Sequence, residues 1–272
     1  MIHKRREKDK LSEKVLFAGP FVGEFGMELF SWQGYVRALS KQFDKTIVAS
    51  RPSNEFIYKD FCDEFIPFDP GSNNADGYNC FSPITIPNIH DKYNPTKVFT
   101  ATTQQEHSKI TSGLEQNFVS YQTDKSDKFN IDICVCARNF KEGAATKIQR
   151  NWDIGECEKT VVMLKENGYS VGSVGLKCSA SYINGTENFM DISLKDMSTL
   201  LSSCKVIIGP SSGIMHFASL CKCAQIVWGE LNLEKRYRVD WNPFSSSVIY
   251  IPKEEYNITS NEIINVIGGF IK

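Results

Sequence analysis

Lys205-Val-Ile-Ile-Gly-Pro-Ser-Ser-Gly-Ile-Met-His-Phe-Ala-Ser-Leu220 is the stretch from which the rest of the chain can be read. Its apolar run, Val206 to Ile208, has the length and branching of a buried strand. Gly209 and Pro210 stop that strand. Ser211 or Ser212 is then placed to cap a helix whose apolar positions, Ile214, Phe217, Ala218 and Cys221, recur at helical spacing. Gly213 falls in the first turn, where a missing Cβ lets a ligand approach the backbone, and His216 shares a face with Ser212. A helix that starts at the carboxyl end of a buried strand offers free N–H groups and a positive dipole end, which suits a phosphate. The same residues also suit an ordinary strand-turn-helix with a satisfied histidine, so the neighbouring segments must decide.

Working outward, the flanks alternate between strand and helix patterns. Upstream come a strand over Ile131 to Ala137, a polar loop from Arg138 to Asp153, and a helix from Gly155 to Asn167 closed by Gly168. A strand over Tyr169 to Val174, a short one near Phe189 and a helix from Ser193 to Ser203 capped by Ser193 follow. Downstream lie the strand Gln225 to Gly229, a polar aromatic-rich loop, a strand over Val248 to Ile251, and a helix from Asn261 to Ile271 capped by Ser260. A separate alternating run opens the chain: a strand within Lys14 to Phe21, the loop Gly19 to Gly26, a single amphipathic helix from Met27 to Phe43, a strand over Lys45 to Ser50, a short helix from Asn54 to Cys62 and a strand over Glu64 to Phe68. Between the runs, residues 70–128 carry the loop Gly71 to Gly77, the breakers Pro83, Pro87 and Pro95, and a helical pattern over Gln104 to Phe118. Two α/β runs around an irregular middle predict two doubly wound domains facing across a cleft, with ligands beyond the carboxyl ends of the strands.

Composition narrows the function. The 272 residues are 41% hydrophobic and 23% charged with a net charge of -1, as expected of a soluble protein rather than a general polyanion binder. No apolar run approaches the roughly 18 residues that cross a bilayer. The charged start precedes no signal-peptide core, and nine cysteines lying mostly in apolar patterns fit a reducing, cytoplasmic setting. That start reads as a solvated tail, with peripheral contact at an anionic membrane surface as a secondary expectation. The spacings Cys134-x-Cys136 and Cys221-x-Cys223 have no accompanying histidine pair, so no metal site is expected.

The motifs carry a resemblance. Ile207-Ile-Gly-Pro-Ser-Ser-Gly-Ile-Met-His-Phe-Ala-Ser219, followed by Gln225-Ile-Val-Trp-Gly229, resembles the donor-site signature of heptosyltransferase-like glycosyltransferases, which are similar to glycosyltransferase family 9. Ser212, Gly213 and His216 match that signature, while Ser211 stands where the family often has aspartate. Cys136-Ala-Arg138 with Arg150-Asn-Trp152 looks like the family's strand followed by a basic residue and a tryptophan; Trp152 itself reads as packing. Val22-Gly-Glu24 is similar to its N-terminal loop, which carries the general base.

The resemblance implies a GT-B-like fold of two Rossmann-like domains. The chain then divides into a charged tail (1–14), an acceptor-side domain (15–128), a nucleotide-sugar-binding domain (129–252) and a C-terminal helix (253–272). It also implies a hexosyl- or heptosyltransferase, inverting and metal-independent, that needs no cofactor beyond a nucleotide-diphospho-sugar as co-substrate. Glu24 would be the base, with Glu28 one turn on as the other candidate. Arg150, with Arg138 as second candidate, would meet the diphosphate together with Gly23, Ser211, Ser212, Gly213 and His216. Arg236 and Arg238 either line the cleft or lie on the surface. The acceptor would be a glycan or other hydroxyl compound. Two alternatives stand beside this: a nucleotide-sugar-binding protein without activity, and transfer to a modified nucleic-acid base. Near-zero net charge argues against nucleic acid as a partner, whereas Lys4, Arg5, Arg6, Lys8 and Lys10 speak for it.

Overall fold

The computed structural model describes residues 13–69, 88–100, 109–111, 113–140 and 149–270. The basic tail, the loop Gly71 to Gly77, Pro83, Pro87 and residues 104–108 and 112 of the helical pattern over Gln104 to Phe118 lie outside these residues; of the rest, 109–111 and 113 are helical and 115–118 are not. Contacts divide the chain into two units, one made of 1–23 and 32–116, the other of 24–31 and 117–272. The boundary thus falls at 116/117, where the sequence places it at 128/129, and the C-terminal helix is part of the second unit.

In the first unit, β1 (Val15–Ala18), β2 (Lys45–Ser50), β3 (Glu64–Pro67) and β4 (Lys97–Phe99) form a parallel sheet in the order β3-β2-β1-β4. Val15, Phe17, Ile47 and Ala49 are its core, with Ile66, Ile89 and Tyr93 packed against them. Chain direction across the sheet reverses between β1 and β4, so the switch point opens at the carboxyl end of β1. The loop beginning at Gly19 leaves from there.

The helix expected over Met27 to Phe43 is two helices, α1 (Phe25–Ser31) and α2 (Gln33–Ser40), broken at Trp32 with φ -133° and ψ -69°. The break has a packing cause. Trp32 is buried in the first unit, stacked on Phe99 at 4.8 Å and tilted on Phe21 at 5.2 Å, with Val36 and Leu39 also buried. Phe30 of α1 instead packs on Trp241 and Phe118 of the second unit. One continuous helix would have to serve two cores. The short helix expected after Asn54 is a 3-10 turn over Pro52–Ile57.

The second unit holds six parallel strands in the order β12-β11-β10-β5-β7-β9: β5 (Ile133–Val135), β7 (Val171–Gly175), β9 (Glu187–Met190), β10 (Val206–Pro210), β11 (Gln225–Gly229) and β12 (Val248–Pro252). β6 (Ala137–Arg138) and β8 (Ala180–Ser181) form a small antiparallel pair. The strand expected over Ile131 to Ala137 therefore ends early, and its last residues turn away to β8. Helices α3 (Ile154–Glu166), α4 (Leu194–Ser203), α5 (Gly213–Leu220) and α6 (Ser260–Phe270) complete the unit. Asp153 caps α3 by accepting from Glu156 N at 2.9 Å, and Ser193 caps α4 by accepting from Asp196 N at 3.1 Å. The Oγ1 of Thr259, not Ser260, reaches Glu262 N at the start of α6. Ile133, Val135, Cys157, Val161, Leu164, Ile208, Ile226, Trp228, Ile263 and Ile267 share one core. In this sheet the order reverses between β5 and β10, so both residues 136–140 and 209–213 leave from the switch point.

Candidate functional site

β10 is buried along its whole length and runs straight into the Ser211-Ser212-Gly213 turn. Gly209 allows a close approach here: a Cβ on it would lie 3.0 Å from Cys136 Cβ and 3.1 Å from Cys136 O, tight enough that the neighbouring segment would have to give by a few tenths of an ångström. The close approach brings the Arg138 segment beside the start of α5.

Ser212 occupies the N-cap of α5 in extended conformation but makes no side-chain cap bond. This corrects the expectation that Ser211 or Ser212 caps the helix through its hydroxyl. The Ser211 Oγ instead accepts from the Tyr237 hydroxyl at 3.0 Å, and the Ser212 N–H donates to that same hydroxyl at 3.2 Å. The hydroxyl of Ser212 lies against the Cys136 thiol, which burial pushes up to about 11.

His216, one turn into α5, is buried among rings. It stacks on Tyr237 at 4.4 Å and meets Trp241 edge-on at 4.6 Å, with Phe30 at 6.1 Å. Its Nδ1 has no hydrogen-bond partner among the described residues. Burial, then the charges of Arg236 and Arg150, hold its pKa well below the ordinary histidine value, so the imidazole is neutral at pH 7. The phenol of Tyr237 is raised by burial and stays protonated.

Arginine charges reach these rings and the nearby Tyr256. Arg150 and Arg236 both act on His216 and Tyr237, and Arg150 and Arg138 both act on Tyr256. Arg138 is buried, with its guanidinium over the Phe140 ring at 4.2 Å, and Arg236 lies over Trp241 at 4.5 Å. Buried Arg138 therefore lies near the start of α5, with Arg236 beside the ring that meets His216. Arg238 is placed elsewhere: it is exposed, bonded to Glu234 Oε1 at 2.7 Å and to Val248 O at 3.1 Å. Trp152 is buried and packs edge-on against Trp228 at 4.8 Å.

The candidate base enters this unit through α1. A Cβ on Gly213 would lie 3.1 Å from Phe25 Cδ1, and one on Gly26 would lie 3.0 Å from His216 Cδ2. Helix α1 therefore lies on α5 glycine to ring in both directions, and Glu24 immediately precedes Phe25. Glu28, one turn on, is fully buried. Gly23 belongs to the first unit, where its carbonyl accepts from Arg51 Nη1 at 2.8 Å.

Sequence reasoning missed Tyr237, Trp241 and Asn151. The first lies inside the charged run Glu234-Lys-Arg-Tyr-Arg238, where the charges drew the reading. Asn151 clamps the base of the loop after β6, its side chain bonding both the N–H and the carbonyl of Phe140 at 2.9 Å. Among the described residues no group of three or more His, Cys, Asp or Glu is arranged to hold a metal ion, and no helix is long and apolar enough to cross a membrane.

No family model matches the sequence, and no curated protein is similar to it by sequence. Solved structures are similar in fold. The ADP-heptose lipopolysaccharide heptosyltransferase II of E. coli superposes with a TM-score of 0.61 at 14% identity, over 94% of this chain and 98% of that one. A glycosyl transferase of family 9 from Veillonella parvula gives 0.57 at 12% identity, over 95% and 97%. The E. coli heptosyltransferase WaaC with ADP-2-deoxy-2-fluoro heptose gives 0.57 at 9% identity, over 94% and 99%. The chain therefore has the GT-B fold of these glycosyltransferases, built from two Rossmann-like α/β units.

Proposed function

We propose that the protein is a glycosyltransferase that moves a sugar from a nucleotide-diphospho-sugar to an acceptor hydroxyl, with inversion and without a metal. The observation that carries this reading is the start of α5 at the switch point of the second sheet, with Arg138 buried just past β5 and Arg236 stacked over Trp241, the ring that meets His216. Positive charge at that place fits a leaving diphosphate, because guanidinium groups hold two phosphate oxygens at once and stabilise the charge that builds on them. The neutral His216 adds no charge and serves as a ring wall for the loop.

In the reaction, the acceptor oxygen bonds to the anomeric carbon as the bond from that carbon to the diphosphate breaks. Glu24 takes the acceptor proton, and the electron pair leaves on the nucleoside diphosphate. Glu24, half-buried just before α1, is preferred to Glu28, which is fully buried. WaaC has been solved with ADP, so ADP-sugars head the donors to try.

The test is release of nucleoside diphosphate from a panel of nucleotide-sugars, with acceptor and as slow hydrolysis. Glu24→Gln should lower turnover by about 100-fold or more and leave nucleoside diphosphate binding unchanged. Turnover unaffected in Glu24→Gln would refute the base assignment. A wild-type protein that binds donor but never turns it over would mark a binding protein instead.

A further inference from the structure

We infer that Tyr237 is a positioning residue for the donor site: its one hydroxyl bridges Ser211 and Ser212 and sets both for contact with the diphosphate. The inference rests on the donor-site reading above. Three observations carry it. The hydroxyl accepts from Ser212 N–H at 3.2 Å and donates to Ser211 Oγ at 3.0 Å, so one oxygen fixes consecutive residues of the turn that opens α5. Its ring stacks on His216 at 4.4 Å, so the same residue also fixes the side chain one turn further on. Finally, Tyr237 sits on a single π-helical turn, Arg236–Asp240, closed by Trp241 N to Arg236 O at 2.8 Å; such turns recur at functional sites.

The direction of the bridge matters chemically. A serine hydroxyl has one hydrogen and two lone pairs. Ser211 accepts from Tyr237 and so keeps its own hydrogen for a second partner, the polarity that a phosphate oxygen needs. Without the phenol, Ser211 could turn to donate to whatever acceptor lay nearby, and the peptide of Ser212 would lose its anchor. Tyr237 is fully buried, so it acts through the two serines rather than by touching the ligand itself.

Calorimetric titration of the full chain and of Tyr237→Phe with ADP, CDP, GDP and UDP, and with the four matching nucleosides, tests this. Phenylalanine keeps the ring on His216 and removes only the hydroxyl. For the nucleoside diphosphate that the wild type binds, Kd should rise about three- to tenfold, with affinity for the nucleoside alone unchanged. Ser211→Ala should also weaken the diphosphate, and the double variant should lose less than the sum of the two single losses. Should Tyr237→Phe fail to fold, Tyr237→His, which keeps an aromatic ring beside His216 without the phenol, must weaken diphosphate binding and leave the nucleoside unaffected. Wild-type affinity in these variants, additive losses, or equal loss of nucleoside and diphosphate overturns the inference. A wild-type protein that binds none of the four diphosphates refutes the donor-site reading itself, a result seen before any variant is made.

Discussion

His216 shows how burial changes what a residue can do at a site. Its ring is walled by Tyr237, Trp241 and Phe30, and Arg236 and Arg150 add positive charge nearby. Burial, and then the charges of Arg236 and Arg150, disfavour imidazolium, so the folded pKa lies below the unfolded value of about 6.5. The sign follows: the unfolded chain binds more protons below that pH, so this contribution to stability is complete above about 6.5 and is lost as pH falls toward the folded value. Melting temperature should drop between pH 7 and pH 5, and His216→Phe should flatten part of that drop; an unchanged slope in the variant would show that the ring is solvated. Arg150→Ala is the companion prediction. If Arg150 meets the diphosphate as proposed, the variant should weaken nucleoside diphosphate binding by about tenfold or more, read by calorimetry at low and high salt, and should reduce the salt dependence as well.

Among the elements, α1 and α5 decide the geometry. Glycines let them approach, and the contacts define unequal costs. Gly26→Val would press on His216, whose Cδ2 stands 3.0 Å from a Cβ there, and should destabilise by about 1–3 kcal/mol. In α6, Gly268 and Gly269 have nothing within 4 Å of an added Cβ, so Gly268→Ala should instead stabilise by about 0.5–1 kcal/mol. Denaturant melts of both variants check the contrast, and equal effects would contradict it. The sequence made much of this layer legible. The β-branched runs of β10 and β11 and the Ser193 cap each depend on neighbours in the chain, so their patterns survive in one dimension, whereas the stop expected at Gly209 and Pro210 is overruled by pairing with β11, which carries β10 through both residues. The break at Trp32 was not legible, because both halves of that segment carry the same amphipathic period while serving different cores. Tyr237 was hidden for a related reason. Its value lies in two bonds to residues about 25 positions away, which no local pattern records.

At the scale of the whole molecule, each unit has its own switch point, between β1 and β4 in one and between β5 and β10 in the other. Open α/β sheets bind ligands at such places, and the second unit adds charge to the geometry. The short segment 24–31, early in sequence, belongs to this second unit and carries both candidate carboxylates to it. Alternation of strands and helices announced two such units, but not that one helix would leave its own. The proposed nucleoside diphosphate site consists of residues 209–216 with Arg150. Thermal melting of the full chain with millimolar ADP, CDP, GDP or UDP tests it most directly, since a ligand that binds only the native state raises the melting temperature. At least one of the four should raise it, and Arg150→Ala should remove most of that rise. Four unchanged melting temperatures, or a rise that survives intact in Arg150→Ala, would contradict the account.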